Sequence, residues 1–538
     1  MEKKIAYNSN MKMNISKFNT NDDLFSSVFF LALFGILSCL ACFKYVALHS
    51  TYLDMGIFVS TLNHVFSGEL WQVSYLHVQP YLLLWSGLYS IFPAGFVPIV
   101  ILIIQSGLLA LPALWLYRLY GPFYSFAYAL YFPLWFNALF DFHIDHMAIM
   151  FLFGFFILAK KDHIKTAVFA ALLIAFVKES FALQTAACGL FLLVEKKKGP
   201  GIFLIVSGLL YFIFATYYLL PFFMSGGKGG LDFSGYSWMG DSTGEIIRFI
   251  VMKPHMVLWA IISDSKKIKF IICVFGALGF IPFLKPKYLI PALPILFISL
   301  ISETESYYGI GHHYTAGLIA PLIMGFCEGN PVARKIWSRL RLSGHFYIPT
   351  VFLGILMCHI VLSPSPISRL FWLPKVWSYH YSAYIPSDRD SMIKKAIVAH
   401  VPKTPEVFVI TQNSLSWGHI MNRKYSFCFP YGVFEPLKSP DLTLISYSDF
   451  ISYLRNNKLP LIKNNSLQAD YILLDLNRPW YIGDKGCDWY YGECHNEEIS
   501  EEFTTLVEKT KENYKIIYEN DEFIILKKNL NKQFMPSL

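Results

Sequence analysis

The sequence predicts a polytopic α-helical membrane protein that ends in a small α/β domain. Of its 538 residues, 55% are hydrophobic and 15% are charged, and the mean hydropathy is +0.44. Soluble domains carry about 25% charged residues. Several apolar runs reach or approach the roughly 20 residues that cross a bilayer. Short β-rich runs occur in the last third of the chain, which is typical of a soluble α/β domain.

The first span is predicted at 26–48. The segment 1–25 before it is polar and basic, so the positive-inside rule predicts that it stays in the cytoplasm and that the span runs outward. Because no small-residue cleavage site follows, the span is interpreted as a retained anchor. Asp54 then lies at the outer boundary of the membrane, where an ionisable group is by default a candidate for function. Within the first outer loop, 49–95, the stretch 52–80 predicts one or two helices lying in the interface.

Basic clusters at the ends of apolar runs set the direction of the later spans. Lys160 and the triplet 196–198 end inward spans, as the charge rule requires. If the amphipathic stretch 245–262 spans, the basic cluster 334–341 lies outside; if it lies on the outer surface, that cluster is cytoplasmic. We adopt the second placement, at the cost of three outer lysines between 266 and 269. The transmembrane domain 26–362 then has about eleven spans: 26–48, 96–117, 122–140, 147–159, 166–177, 181–194, 201–220, 270–284, 288–301, 315–326 and 347–362.

Two of these spans form a tight hairpin with Lys178 and Glu179 at its tip. Both arms, 166–177 and 181–194, are shorter than a full span. The tip is therefore expected below the outer surface, in a cavity lined by protein, where charge is expensive and often functional.

The tail 363–538 is predicted to be an extracytoplasmic α/β domain. Strands are predicted at 407–410, 471–474 and 523–526, and helices at 389–400 and 501–514. It contains no phosphate loop, nucleophile elbow or nucleotide fingerprint, which favours an acceptor-binding or lid domain over a catalytic one. A disulfide between Cys487 and Cys494 is compatible with an oxidising compartment.

Composition also argues against two classes of function. The net charge of +8 could suggest nucleic-acid binding, but the lysines cluster at the ends of spans, where topology explains them. The cysteines lie mostly singly in apolar runs, and the sequence contains no Cys/His zinc pattern.

The predicted topology gathers acidic, imidazole and lysine side chains at the outer face. A carboxylate can take the proton of an attacking hydroxyl, while histidine, lysine or a divalent cation can stabilise a leaving phosphate. This combination suits transfer of a sugar from a polyprenyl-phosphate donor whose tail lies between the helices. The predicted partners are that donor and membrane lipids, with the acceptor and any metal cofactor left open.

The same residues lie in short motifs that carry a family resemblance: LDMGIF at 53–58, HVQP at 77–80, FDFH at 140–143, VKE at 177–179 and HY at 313–314. In this order they resemble the landmarks of a prokaryotic membrane protein family, domain of unknown function 2079, and ADYILL at 469–474 also fits. That family is similar to the GT-C glycosyltransferases, multi-span enzymes that use lipid-phosphate sugars and carry an essential acidic residue in the first outer loop. The resemblance implies a GT-C-like fold in the plasma membrane, with Asp54 at the position of that residue, and it implies no particular substrate.

Each candidate residue also has a simpler interpretation, as a helix cap, a solvated loop residue or a local ion pair. An alternative function is a transporter or lipid flippase in which the same charges line a path, although we find no internal repeat of the kind common in transporters. A third is a structural protein whose tail binds a partner. The predicted site consists of Asp54 and Glu179 as catalytic groups, of His77, His143, Lys178, His313 and Tyr314 as substrate-binding groups, and of Asp141 as a metal ligand.

Overall fold

The computed structural model describes residues 20–70, 73, 77–223, 234–373, 379–423, 425–429, 433, 468–478, 487–488, 493–494 and 497–529. Most of the predicted cytoplasmic segment 1–25 lies outside these residues. The described chain is largely helical and carries a small sheet near its C-terminal end.

Apolar helices make up the first two thirds of the described chain. In chain order the helices are α1 (Thr20–Val46), α2 (Ile57–Phe66), α3 (Tyr81–Ser86), α4 (Val97–Tyr120), α5 (Pro122–Ala129), α6 (Phe132–Leu139), α7 (His146–Lys160), α8 (Ile164–Ala175), α9 (Glu179–Val194), α10 (Lys198–Phe214), α11 (Leu220–Phe223), α12 (Thr243–Met252), α13 (Pro254–Ile262), α14 (Ser265–Gly276), α15 (Leu293–Ile301), α16 (Ala316–Arg339) and α17 (Tyr347–Leu362), followed in the tail by α18 (Arg369–Trp372), α19 (Asp388–His400), α20 (Gly418–Met421) and α21 (Glu497–Lys511).

Five of the described helical stretches are long and apolar enough to cross a membrane, which confirms the prediction of a membrane protein with several spans. Helices α7, α8 and α9 are shorter, at 15, 12 and 16 residues. The short arms predicted for the hairpin around Lys178 are thus confirmed. The five long stretches are Asp23–Val46, Val97–Tyr120, Lys198–Phe222, His313–Arg339 and Gly344–Leu362.

Proline interrupts several predicted spans. The predicted helix 122–140 is wrong as a single element, because it divides into α5 and α6, with Pro133 in the first turn of α6. Proline lacks the N–H that a continuous helix needs, so it favours the start of a new helix. The predicted span 288–301 likewise begins as a 3₁₀ turn, Pro286–Ala292, before α15. The amphipathic stretch 245–262 also divides at Pro254, where α12 ends and α13 begins.

The bundle has two chemically different ends. Helix α7 starts at His146, beside the predicted site, and reaches Lys160 after 15 residues, a rise of about 22 Å. There Lys160 forms an ion pair with Glu328 of α16, which also accepts a hydrogen bond from Tyr120 of α4. At this basic end Lys197 also pairs with Asp162 at 2.6 Å. The predicted site residues therefore lie at the opposite end of the bundle.

Helices α9 and α10 pack closely through glycine. A Cβ atom at Gly208 would lie 2.6 Å from the carbonyl oxygen of Ala182 and 2.7 Å from the backbone nitrogen of Ala186. We expect Gly208→Leu to separate the two helices and to cost about 1–3 kcal/mol of stability, as overpacking does. Thermal unfolding in nanodiscs measures the loss. Gly199→Leu, on the same helix with no atom within 4 Å, should unfold like the wild type; equal losses in both variants would contradict this packing.

The C-terminal sheet has five strands in the order β2-β1-β3-β7-β6, and the predicted strand positions near 409, 471 and 523 are confirmed. Strand β1 pairs in parallel with β2 and β3, whereas β7 is antiparallel to β3 and β6. A separate two-stranded pair, β4 and β5, places Cys487 opposite Cys494 in register. The strands are β1 (Val409–Thr411), β2 (Ser426–Cys428), β3 (Tyr471–Asp475), β4 (Cys487–Asp488), β5 (Glu493–Cys494), β6 (Tyr514–Asn520) and β7 (Phe523–Lys528).

Helices cover both faces of this sheet. Ile393 and Ile397 of α19 pack on one face, and Leu506 and Val507 of α21 pack on the other. Alternate residues of each strand enter the two cores, as the two-residue period of a strand requires. The α/β prediction for the tail is thus confirmed.

Candidate functional site

Asp54 lies in a π-helical turn, Tyr52–Gly56, that continues directly into α2. The turn closes through the N–H of Ile57, which donates to the carbonyl oxygen of Tyr52. A Cβ atom at Gly56 would lie 2.7 Å from the Tyr52 ring, so this tight turn requires glycine. Single π turns are frequent at functional sites.

Both carboxylate oxygens of Asp54 have partners. Thr51 donates its hydroxyl to Oδ2 at 2.7 Å, and Nε2 of His143 lies 3.3 Å from Oδ1. Burial raises the pKa of Asp54, but the hydrogen bond and charge of His143 and the Thr51 hydrogen bond outweigh it, so that the net shift is downward. Asp54 is therefore an ionised carboxylate whose side chain is still 20% exposed.

Asp141 lies in a strained turn beside Asp54. Its φ is +133°, a conformation that costs a non-glycine residue about 1–3 kcal/mol and is often retained for function. Gln105 of α4 pins the turn: its Nε2 donates to the Asp141 carbonyl at 3.0 Å and its Oε1 accepts the N–H of His143 at 3.1 Å. Gln105 therefore holds the backbone of both Asp141 and His143 in place.

The Asp141 carboxylate is paired with a lysine. Nζ of Lys44 lies 3.4 Å from it, with both side chains almost fully buried, and the N–H of Thr51 donates to it at 2.9 Å. Burial raises the pKa of Asp141, although Lys44 opposes this shift. The described residues contain no group of three His, Cys, Asp or Glu side chains that could hold a metal ion. Asp141 anchors the Asp54 loop through the N–H of Thr51, and its predicted role as a metal ligand stays a prediction.

His143 and His313 stack face to face. Their ring centroids are 3.5 Å apart and the rings are inclined by 22°. Nε2 of His313 lies 3.6 Å from Oδ2 of Asp145, as Nε2 of His143 faces Asp54. Two Asp–His pairs thus meet through their rings, and the ring of Tyr314 lies 4.2 Å from that of His313.

Lys178 immediately precedes α9 and interacts electrostatically with Asp145 and His313 of this group. Burial lowers its pKa, but Asp145 and Glu179 raise it more, so the ammonium stays charged. No direct ion pair of Lys178 is found in the described part of the chain. Its charge is therefore available to an anionic ligand.

Glu179 does not join Asp54 but fixes the His77 loop. Its Oε1 lies 2.8 Å from Nδ1 of His77, and its Oε2 accepts the N–H of Val78 at 3.0 Å. Both oxygens are thus occupied. Glu179 thus positions His77 and Val78, and the catalytic role predicted for Glu179 and the substrate-binding role predicted for His77 stay predictions.

The C-terminal domain holds the Asp54 loop directly. The N–H of Tyr52 donates to the backbone oxygen of Asn413 at 2.8 Å, and the N–H of Leu53 donates to its Oδ1 at 2.9 Å. Arg478 donates to the carbonyl of Leu48 at 3.1 Å. The acceptor-binding or lid role remains a prediction, whereas these contacts make the domain a support for the loop.

Removing the Asn413 side chain tests this support. We expect Asn413→Ala to leave the Leu53 N–H without its acceptor and to raise hydrogen exchange in the peptide 49–56 at least tenfold, since an unsatisfied buried donor costs about 1–3 kcal/mol. Mass spectrometry of the exchanged protein measures the effect. Asn422→Ala is the matched control, because Asn422 bonds to Tyr89, Ala94 and Gly418, which lie outside the peptide 49–56. Unchanged exchange in Asn413→Ala would refute the support.

Histidine burial near Asp54 predicts acid sensitivity. Burial lowers the pKa of His312 to about 4 from its ordinary 6.5. Between these pH values the unfolded chain binds the proton more tightly, so stability falls as the pH drops from about 6.5 to about 4, by up to about 3 kcal/mol. Thermal unfolding at pH 7.5 and pH 5 measures the loss. His312→Gln should lose less stability between these two values than the wild type; an equal loss would contradict the assignment.

The structure brings six of the eight predicted site residues into or beside one cluster: Asp54, Asp141, His143, Lys178, His313 and Tyr314. Glu179 and His77 form an adjoining pair. Sequence reasoning missed Lys44, Thr51, Gln105 and Asp145 as partners of these residues. Two of these could have been inferred from the sequence. Asp145 is the third acidic or imidazole residue after Phe140, and Lys44 is the one cation in the predicted first span.

One comparison with known proteins matches most of the chain. A family model described as "Predicted membrane protein (DUF2079)" matches residues 44–523, which include every residue of the cluster. Among curated proteins, none matches the chain.

Proposed function

We propose, for a chain that belongs to the DUF2079 family of predicted membrane proteins, that it transfers a sugar from a polyprenyl-phosphate donor to an acceptor, as GT-C glycosyltransferases do. One observation supports the proposal: the ionised Asp54 lies 3.3 Å from His143, whose ring stacks on that of His313. His313 lies 3.6 Å from Asp145, and Asp145 interacts electrostatically with the charged Lys178. A base for a hydroxyl and a cation for a phosphate therefore lie in one cluster.

Each part of this cluster has a role in the transfer. The Asp54–His143 pair receives the proton of the acceptor hydroxyl, which general-base catalysis requires. Lys178 stabilises the negative charge that develops on the leaving phosphate. The polyprenyl tail lies between helices in the lipid, so that only its head group reaches the cluster.

The membrane organisation that goes with this function has eleven spans in the plasma membrane. The N-terminal segment is cytoplasmic, and the cluster and the C-terminal α/β domain are extracytoplasmic. The basic end of the bundle, with Lys160 and Lys197, supports this orientation because lysines favour the cytoplasmic side. The opposite end, where Asp54 lies, then faces outward.

Binding and transfer test this function separately. The protein in nanodiscs is mixed with a radiolabelled polyprenyl-phosphate sugar and an extract of cell-envelope acceptors, and bound donor and transferred label are counted. Lys178→Met should weaken donor binding 10- to 100-fold, the usual worth of a charge-assisted contact. Lys197→Met, at the basic end, is the control and should bind normally. Equal binding by wild type and Lys178→Met would contradict the proposed phosphate contact.

A further inference from the structure

We propose that Nδ1 of His143 is the atom that takes the proton from the acceptor hydroxyl, with Asp54 and His313 as positioning residues. This inference rests on the proposed transfer function and specifies its base. The reason is that Nδ1 of His143 has no hydrogen-bond partner in the described structure, whereas both carboxylate oxygens of Asp54 have one.

Both carboxylate oxygens of Asp54 already have a partner. Its Oδ2 accepts the Thr51 hydroxyl and its Oδ1 faces Nε2 of His143. A carboxylate only accepts hydrogen bonds, so the facing Nε2 carries the hydrogen. In the neutral ring the lone pair then lies on Nδ1.

Nδ1 of His143 has no hydrogen-bond partner in the described structure, although it is buried. A buried polar atom without a partner is unfavourable, and such atoms are often completed by a ligand. A substrate hydroxyl donating to this lone pair would satisfy it. The arrangement gives a buried acceptor on a ring whose other nitrogen faces an ionised carboxylate, as in an Asp–His base but with the two ring nitrogens exchanged.

His313 is arranged in the same way as His143, and its position limits the positive charge that the two stacked rings can hold. Its Nε2 faces Asp145, and its Nδ1 is also buried without a partner in the described residues. Two imidazolium rings with centroids 3.5 Å apart repel each other, so the stack holds one extra proton at a time. The charged and titratable groups around the stack include Asp54, Asp145, Lys178, His146, His312 and Tyr314.

Two bonds break and two bonds form in this transfer. The acceptor O–H bond breaks and its proton passes to Nδ1 of His143, where the positive charge faces Asp54 through Nε2. The acceptor oxygen forms a bond to the anomeric carbon of the sugar. The bond between that carbon and the phosphate oxygen breaks, and its electron pair stays on the phosphate, near Lys178.

Two glutamine variants separate the roles of the two rings. The side-chain amide of glutamine can replace Nε2 as a donor but supplies no basic nitrogen. His143→Gln should therefore retain the contact to Asp54, bind the donor within about twofold of wild type, and lose transfer by at least 100-fold, the contribution of a general base. His313→Gln should reduce transfer by less than tenfold.

A measurement without substrate tests the tautomer of His143 separately from transfer. In protein labelled with ¹⁵N-histidine, the resonances of His143 should show a pyridine-type Nδ1 and a pyrrole-type Nε2, and Asp54→Asn should shift this tautomer balance. A protonated Nδ1 in the neutral ring would overturn the inference. So would full transfer by His143→Gln while Asp54→Asn is inactive, a result that would leave the glycosyltransferase function standing. Absence of transfer by the wild type, with the expected tautomer present, would instead count against the function.

Discussion

Asp54→Asn is expected to reduce sugar transfer by 100- to 10,000-fold while leaving donor binding almost unchanged. The amide removes the negative charge that stabilises a protonated His143, and its NH₂ group can face Nε2 and so reverse the tautomer of that ring. General-base catalysis contributes this range of rate. Rates of label transfer and donor affinity, measured on the same nanodisc preparation, separate the chemical step from binding.

Asp23→Asn is the matched control for this prediction. Asp23 is also an ion-paired aspartate, 3.4 Å from Arg118, but its side chain is 51% exposed and it lies at the basic end of the bundle. Its replacement should leave transfer at the wild-type rate. Full activity in Asp54→Asn would remove Asp54 from the mechanism.

The largest expected loss of stability comes from Asp141→Ala. This variant leaves the ammonium of Lys44 buried without its carboxylate, and breaking a buried pair from one side costs about 3–5 kcal/mol. It also frees the Thr51 N–H that supports the Asp54 loop. Unfolding of the reconstituted protein by heat or denaturant should show this loss directly.

Asp162→Ala controls for both the charge and the backbone. Asp162 also pairs with a lysine and also has a positive φ, of 61°, but its side chain is 72% exposed. An exposed pair is worth about 0–1 kcal/mol, so this variant should be nearly as stable as the wild type. The double variant Lys44→Met, Asp141→Ala should recover part of the loss, because no charge is then left buried. Equal stability of Asp141→Ala and Asp162→Ala would contradict a structural role for the buried pair.

Sequence patterns predict the helical membrane domain, the α/β tail and most members of the cluster, because these features depend on hydropathy and on residue types near the ends of spans. The short hairpin arms around Lys178 are an example. The division of the predicted span 122–140 could also be predicted from Pro133, since proline favours the first turn of a new helix and α6 begins there.

The contacts that organise the cluster could not be predicted in this way. Gln105 lies in the middle of an apolar span, and only the fold shows that it pins the turn from Asp141 to His143. Asn413 is 360 residues from the loop that it holds. Such pairings leave no local periodicity in the sequence. The reactive groups could therefore be predicted, but the contacts of Glu179 with His77 and of Asp141 with Lys44 could not.

The central claim is that a lipid-carried phosphate binds at the end of the bundle where Asp54 and Lys178 lie. A polyprenyl phosphate with a diazirine beside its phosphate, photolysed on the reconstituted protein and mapped by mass spectrometry, tests it most directly. Adducts are expected in peptides that contain Asp54, Lys178 or His313, and an excess of unlabelled polyprenyl phosphate should suppress these adducts. Adducts confined to peptides around Lys160 and Lys197, or adducts that competition does not reduce, would contradict it.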